Sequence, residues 1–406
     1  MLTCDKQRLE EKIVSFSKMG DTGKGGVTRL CFSKEEIEAR NEFCKRCKEL
    51  DMEIKFDDMA NIYATIKGEE DLPAIAMGSH TDSVIQGGNY DGILGVLTAL
   101  EAAETIVKEN IKTRHPVTVV VWTNEEGSRF PPAMMSSGVL AGKFDKDTML
   151  AAKDKEGVTF GEALDASGYK GNETNRLNAQ DYRAFLELHI EQGPVLEMEE
   201  KEIGVVEGVV GMVNYEMQAV GQANHAGTTP MKVRKDALYA AATIIHYLHE
   251  ELDKLEPTLV YTTGQIFASP NIHTVIPDDV RVVLDSRHKD PEVIRQVVDV
   301  IQQIPSEVQK CQVSYREQWA RNTIHFASDM VDAVEKSAEM YGYASRRMYS
   351  GAGHDAQYIA DMLPTTMIFV PSDTGFSHCE KEHTSVDLCW KGANVLLQTV
   401  LALDKQ

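Results

Sequence analysis

Four short segments carry the side chains best suited to chemistry. GSHTDSVIQGGNYDG, residues 78–92, holds His80 and Asp82 two apart and, beyond a Gly-Gly corner, Asp91. WTNEEG sets Glu125 beside Glu126, ELHIEQGP contains His189 and Glu191, and GFSH ends in His378. Imidazoles and carboxylates without cysteine suit zinc, manganese, cobalt or nickel in a catalytic setting more than a structural zinc. His80, Asp91, Glu126, His189 and His378 are too many ligands for one catalytic ion that keeps an open position. They are enough for two ions if one carboxylate bridges. Asp91 suits the bridge, because both its oxygens can bind and the glycine turn holds it near a helix start. Two such ions lie about 3.5–4 Å apart and activate a shared water. Asp82 is then expected to accept the spare ring N–H of His80 and fix its tautomer. Adjacent side chains on an extended backbone point opposite ways. One of Glu125 and Glu126 would therefore ligate while the other faces the water as general base.

These residues need a scaffold that brings them together. LPAIAMGSH, HPVTVVVWT, FLELHI and TTMIFVPS read as buried strands, and DGILGVLTALEAAETIVKEN and VDLCWKGANVLLQTVLAL as long helices. The strand–helix rhythm predicts an α/β fold with a mostly parallel sheet flanked by helices. The chemistry-bearing residues sit at or beyond the ends of those strands, where open α/β sheets bind ligands. Near residue 211 the pattern changes. VNYEMQAVGQ, RVVLDSRHKD and QVSYREQW alternate apolar and polar positions around the helix DALYAAATIIHYLHEELDKL. The expected organisation is one α/β domain, residues 1–210 and 325–406, interrupted by an α+β domain over 211–324.

The chain has 406 residues, 42% of them hydrophobic, and a formal net charge of −21. That charge argues against nucleic acid and anionic membranes as partners, and no apolar run approaches a bilayer span. Seven scattered cysteines and an N-terminus without a signal-peptide core predict a cytoplasmic protein with reduced thiols. Cys44 and Cys47 have CxxC spacing, and His246 and His249 form an HxxH, but both pairs read as helix faces. GDTGKGG lacks the GK[ST] of a phosphate-binding loop, and NEEGSRF lacks a serine nucleophile elbow.

The ordered set GSHTDSVIQGGNYDG, TNEEGSRF, ELHIEQGPVLE, GQANHAGTTPM, LDSR, SGAGHDAQ and GFSH resembles the M20 metallopeptidase-like family. Within that family the set resembles the amidohydrolase branch of N-carbamoyl-L-amino-acid hydrolases, allantoate amidohydrolases and β-ureidopropionases. The resemblance implies two divalent ions, one held by His80 and His189, the other by Glu126 and His378, with Asp91 between them and zinc the first expectation. It implies Glu125 as general base, and an inserted dimerisation (lid) domain in a homodimer. His225 would reach a partner subunit's site and stabilise an oxyanion. Arg287 would clamp a substrate carboxylate. Gln192, Ala352, Gly353, Asn271 and Thr274 are the remaining expected substrate contacts. Thr274 stands where many relatives carry Asn before the VIP sequence, and His383 lies close to His378. The implied substrate is a small carbamoyl or ureido compound bearing a carboxylate. An aminoacylase or dipeptidase on the same scaffold, and a non-catalytic metal binder, are the rival readings.

Overall fold

The computed structural model describes residues 1–405. The chain divides into two compact units, residues 1–208 with the segment from 325 onward, and residues 209–324. In chain order the strands are β1 (Glu53–Phe56), β2 (Ile62–Ile66), β3 (Ala74–His80), β4 (Val117–Trp122), β5 (Tyr182–Ile190) and β6 (Ile203–Val209). Then come β7 (Gly211–Val220), β8 (Asn224–His225), β9 (Val260–Ser269), β10 (Val275–Ile276), β11 (Asp279–His288), β12 (Glu307–Val308) and β13 (Cys311–Arg321). The last are β14 (Ile324–His325), β15 (Ser345–Ser350) and β16 (Thr365–Val370).

The first unit is built on a nine-stranded sheet in the order β1-β2-β4-β3-β5-β16-β6-β14, with β15 also on β6. Its centre, β4-β3-β5-β16, is parallel. The flanks are antiparallel, β2 on β4, β1 on β2, and β6 on β16. Parallel strands are covered on both faces, and every residue of β3, β4 and β16 is buried. This accounts for their continuous apolar runs. Helix Ile93–Lys108 packs on β3 and β5, and helix Val386–Leu403 on β16. Each apolar side chain taken fully from water there contributes about 1.5–3 kcal/mol. Because the four central strands run the same way, their carboxyl ends share one edge.

The second unit carries a five-stranded antiparallel sheet, β12-β13-β7-β11-β9. Val213, Tyr215, Met217 and Ala219 of β7 face a core closed by helices Ala237–Leu252 and Pro291–Gln302. The intervening Asn214, Glu216 and Gln218 stay partly exposed, which is the period-2 pattern of a half-covered sheet. A two-residue ribbon pairs β8 with β10. Strand β9, VYTTGQIFAS, was not legible beforehand: it is an edge strand wet along most of its length, so burial imposes no clean alternation on it. No helix among the described residues is long and apolar enough to cross a membrane.

Candidate metal centre

The common edge of the parallel strands gathers the candidate ligands. His80 ends β3 and His189 is the last residue but one of β5. Glu125 and Glu126 lie just beyond β4, and His378 lies in the loop after β16. Asp91 precedes helix Ile93–Lys108. The two innermost strands thus supply the buried histidines, while the two beside them lead to Glu126 and His378.

Asp91 faces both pairs. Its Oδ1 lies 3.2 Å from His189 Nε2 and 3.5 Å from His80 Nε2. Its Oδ2 lies 3.3 Å from His378 Nε2, which is itself 3.7 Å from Glu126 Oε2. Two groups of ligand atoms result, His80–Asp91–His189 and Asp91–Glu126–His378, each with its atoms within 4.8 Å of one another. His383 belongs to neither. Its Nδ1 meets Asp373, and its ring stands edge-on to Tyr90.

The ring tautomers of the inner group are set by backbone. His80 Nδ1 meets the carbonyl oxygen of Asp82 at 3.0 Å, and His189 Nδ1 that of Ile190 at 2.9 Å. A carbonyl only accepts, so each Nδ1 carries a proton, and each ring in its neutral form offers Nε2 as the ligand atom. His354 lies behind His189, ring centroids 4.6 Å apart.

Three details differ from the sequence reading. The Asp82 carboxylate lies 3.7 Å from His80 Nδ1; the Asp82 backbone carbonyl takes that contact instead. The carboxylate accepts the backbone N–H groups of Glu125 and Glu126, each at 3.2 Å. Nor is the Glu-Glu pair extended. It follows Asn124 at φ 59°, and this bend sends Glu125 Oε2 to within 3.6 Å of His80 Nε2 while Glu126 reaches toward His378. Gln192, expected only as a substrate contact, donates from Nε2 to Asp91 Oδ2 at 2.7 Å and so lies against the second group.

The glycine corner has a steric reason. A Cβ on Gly92 would lie 2.1 Å from the His80 ring, and Gly92 has φ 65°, a left-handed conformation that favours glycine. A Cβ on Gly88 would lie 2.0 Å from Glu382 Oε1. Glu382 is the residue that sequence reasoning missed. It is buried, and its carboxylate accepts from the backbone N–H groups of Tyr90 and Asp91 on one oxygen and from Ser377 Oγ and the His378 N–H on the other. Nothing in HCEKEHTS separates it from Glu380 by pattern alone.

Charge in this pocket is unbalanced. The ion pairs of Asp91, Glu125 and Glu126 are all with histidines. Burial, then Glu126, Asp355, Asp91 and Asp82, holds the Glu125 carboxyl well above the usual range. Burial, Asp91 and Asp82 do the same to Glu126. Burial and Glu36 push Asp82 to about 7, and burial and Asp91 push Glu382 to about 7. Burial works to raise Asp91, but His189, His378 and His80 outweigh it and hold it well below the ordinary value. Burial lowers His80 to about 4, whereas for His189 the Asp91 charge overcomes burial and raises it to about 9. His80 Nε2 and Glu126 Oε1 are buried without a hydrogen-bond partner. Unpartnered donor atoms amid surplus buried carboxylates, with no thiolate, fit divalent cations with nitrogen and oxygen ligands.

The other expected residues lie elsewhere. Ala352 and Gly353 are half-buried in the loop after β15, where Ser350 Oγ accepts the Ala352 N–H and meets His354 Nε2 at 3.0 Å. His225, Asn271, Thr274 and Arg287 are in the second unit. His225 is exposed, and its Nδ1 accepts the N–H groups of Gly227 and Thr228. This leaves the ring proton on Nε2 as a donor. The Thr274 carbonyl accepts the Ala226 N–H at 2.9 Å, and Asn271 is exposed with φ 56°. Arg287 Nε donates to Asp285 Oδ1 at 2.8 Å, and Nη2 is 3.4 Å from Oδ2. The guanidinium expected to clamp a substrate therefore has one edge engaged by its own strand.

A parallel sheet core whose carboxyl edge gathers two ligand groups around one shared carboxylate defines an α/β protein with a centre of metal-binding type. The chain belongs to peptidase family M20/M25/M40, whose sequence profile matches residues 76–402. It is 36% identical over 405 residues to an N-carbamoyl-L-amino-acid amidohydrolase of Paenarthrobacter aurescens, covering 98% of each chain. It is 35% identical over 403 residues to an allantoate amidohydrolase of Escherichia coli (strain K12), covering 98% of this chain and 97% of that one. Among solved structures, an amidase of the hydantoinase/carbamoylase family from Burkholderia multivorans superposes with a TM-score of 0.93 at 38% identity, covering 100% and 99% of the two chains.

Proposed function

We propose that this protein is a metal-dependent amidohydrolase that cleaves the carbamoyl C–N bond of N-carbamoyl-L-amino acids, releasing ammonia and CO2. The observation that carries the reading is Asp91, with one oxygen turned to His80 and His189 and the other to His378. The names of the relatives at 35–36% identity supply the bond type. Two divalent ions, zinc first and manganese, cobalt or nickel next, would be held by His80, His189, Asp91, Glu126 and His378. When bound, they polarise the carbonyl and lower the pKa of water.

The chain's own residues do the rest. Glu125, raised in proton affinity by burial and then by its carboxylate neighbours, takes the proton of the attacking water at its carboxylate and returns it to the leaving nitrogen. Such transfer is worth about 10²–10⁴ in rate. Asp82 holds the Glu125–Glu126 backbone in place. His225 Nε2–H, from a second copy of the chain in a homodimer, donates to the developing oxyanion. Arg287, oriented by Asp285, binds the substrate carboxylate, and Asn271, Thr274, Gln192, Ala352 and Gly353 are the further proposed substrate contacts. We assign the protein to the cytoplasm on its reduced, unpaired cysteines.

Allantoate is the second substrate reading, favoured by the relative of that name. The test is ammonia release from N-carbamoyl amino acids and allantoate, and release of free amino acid from an N-acyl amino acid, each with zinc, manganese, cobalt and nickel. Turnover of the carbamoyl amino acids, lost in Glu125→Gln with its ions retained, is the expected result. Turnover of the acyl amino acid alone would sink the assignment.

A further inference from the structure

We infer that Glu382 is a positioning residue that sets the spacing between Asp91 and His378, and through it the affinity for the ion between them. The inference rests on the two-ion reading above. Asp91 and His378 reach the site on loops that follow different strands, β3 and β16. The Glu382 carboxylate joins those loops. One oxygen accepts the Tyr90 N–H at 3.1 Å and the Asp91 N–H at 2.9 Å. The other accepts Ser377 Oγ at 3.0 Å and the His378 N–H at 3.3 Å. Glu382 is 3% exposed, and the space its side chain fills is kept open by the absence of a side chain at Gly88.

The clamp holds the backbone of the less anchored ligand, while Ser377 Oγ and Gln192 Nε2 meet Asp91 Oδ2 at 3.2 and 2.7 Å. His378 has φ 55°, a left-handed backbone uncommon for a residue with a Cβ, and its side chain is 53% exposed. Neither helix nor strand holds it. The acceptor on its N–H fixes the backbone from which Nε2 reaches Asp91 Oδ2, with Gln192 Nε2 3.4 Å from that ring atom. Residues behind a ligand that fix its orientation in this way typically change metal affinity by about 10–100-fold when removed. Both oxygens of Glu382 are needed as acceptors. Glutamine keeps the volume but turns an N–H toward the His378 N–H and Ser377, so it releases that loop while holding the Asp91 one. Aspartate keeps both acceptors on a shorter stem.

The experiment is titration of the metal-free wild-type, Glu382→Gln and Glu382→Asp proteins with Co²⁺, reading d–d absorption for affinity and elemental analysis for ions per chain. Two ions are expected in the wild type. In Glu382→Gln the first should bind unchanged and the second about 10–100-fold more weakly, with Glu382→Asp in between. If Glu382 merely fills space, the order reverses: glutamine matches wild type and aspartate is worse. That order, or unchanged second-ion affinity in both variants, overturns the inference while leaving two-ion binding intact. A wild-type protein that takes up fewer than two ions overturns the reading beneath it. Thermal unfolding of each metal-free variant identifies one that has lost its fold, and the other variant then decides.

Discussion

His189 and His378 face the same carboxylate, yet the chain holds them by different means. His189 is 1% exposed, sits inside a parallel strand, and has its ring fixed by the carbonyl of the next residue. His80 is held in the same way at the end of β3. His378 is 53% exposed, lies on a loop with a left-handed backbone, and has its N–H held by Glu382. The two inner histidines are therefore placed by the sheet itself, at no further ordering cost, and only Asp91 of that group comes from a loop. The outer group depends on loops, the elements that open most readily. We expect the inner pair to hold an ion longer, and the outer pair to tune affinity.

Asp91 is what the two groups share, so its loss should have the largest effect. Asp91→Asn keeps the shape but turns an amide N–H₂ toward at least one imidazole. Ion binding should fall in both groups and activity should drop to background, measured by metal content and ammonia release. One ion retained at wild-type affinity would show that the groups are independent and the carboxylate is not shared. Next in size is the difference between the groups themselves. Mixing the two-ion protein with excess chelating dye should release metal in two phases, the faster from the outer group by about tenfold or more. His378→Ala should remove the fast phase and leave the slow one. A single phase would erase the contrast.

This contrast also marks what the sequence discloses. The candidate ligands are legible as a cluster because a buried parallel strand writes a continuous apolar run, and His80, Glu126, His189 and His378 stand at or beyond the ends of four such runs. The edge they share follows from parallel pairing. What holds the outer group is not legible. Glu382 works through backbone N–H groups of residues almost three hundred positions away, and no local period reports such a bond. The Asp82 expectation went astray for a related reason: a carbonyl oxygen, present at every residue, took the contact assigned to a side chain. Strands β1 and β2 went unread because they are short, and β9 because an exposed edge does not alternate. The Glu125–Glu126 bend was misread because Asn124 adopts a left-handed backbone.

Protonation offers a gentler way to sharpen the comparison. In the chelated protein, Asp82 and Glu382 sit near 7 against ordinary values of 3.8 and 4.5. Their contribution to stability is fully present below about pH 4 and is lost as pH rises to 7. Each proton contributes at most about 1.4 kcal/mol per pH unit within its window. His189, raised to about 9 from 6.5, adds a decline between those values. His80 opposes them: lowered to about 4, its contribution is present above 6.5 and lost as pH falls toward 4. The raised groups outnumber it, so the melting temperature of metal-free protein should fall from pH 5 to pH 8, and saturating Zn²⁺ should flatten the slope. A metal-free protein most stable at pH 8 would contradict the charge imbalance on which the cation fit rests.

The smallest expected effects come from the two glycines, and they separate the groups most cleanly. Gly92→Ala puts a Cβ 2.1 Å from the His80 ring in a backbone at φ 65°. That ring is buried and held by a carbonyl, so it cannot swing away, and the strain falls on the inner group. Gly88→Ala puts a Cβ 2.0 Å from Glu382 Oε1 and 2.4 Å from Glu382 Cβ, so the whole carboxylate is displaced, and with it Oε2, the acceptor on the His378 N–H. Both are overpacking changes of about 1–3 kcal/mol, and their melting temperatures should be alike. Their metal release should not be. Gly92→Ala should quicken the slow phase and Gly88→Ala the fast one. Were Gly88→Ala to act on the slow phase instead, Glu382 would be holding the inner group through Asp91, and the division of the site would have to be redrawn along that bond.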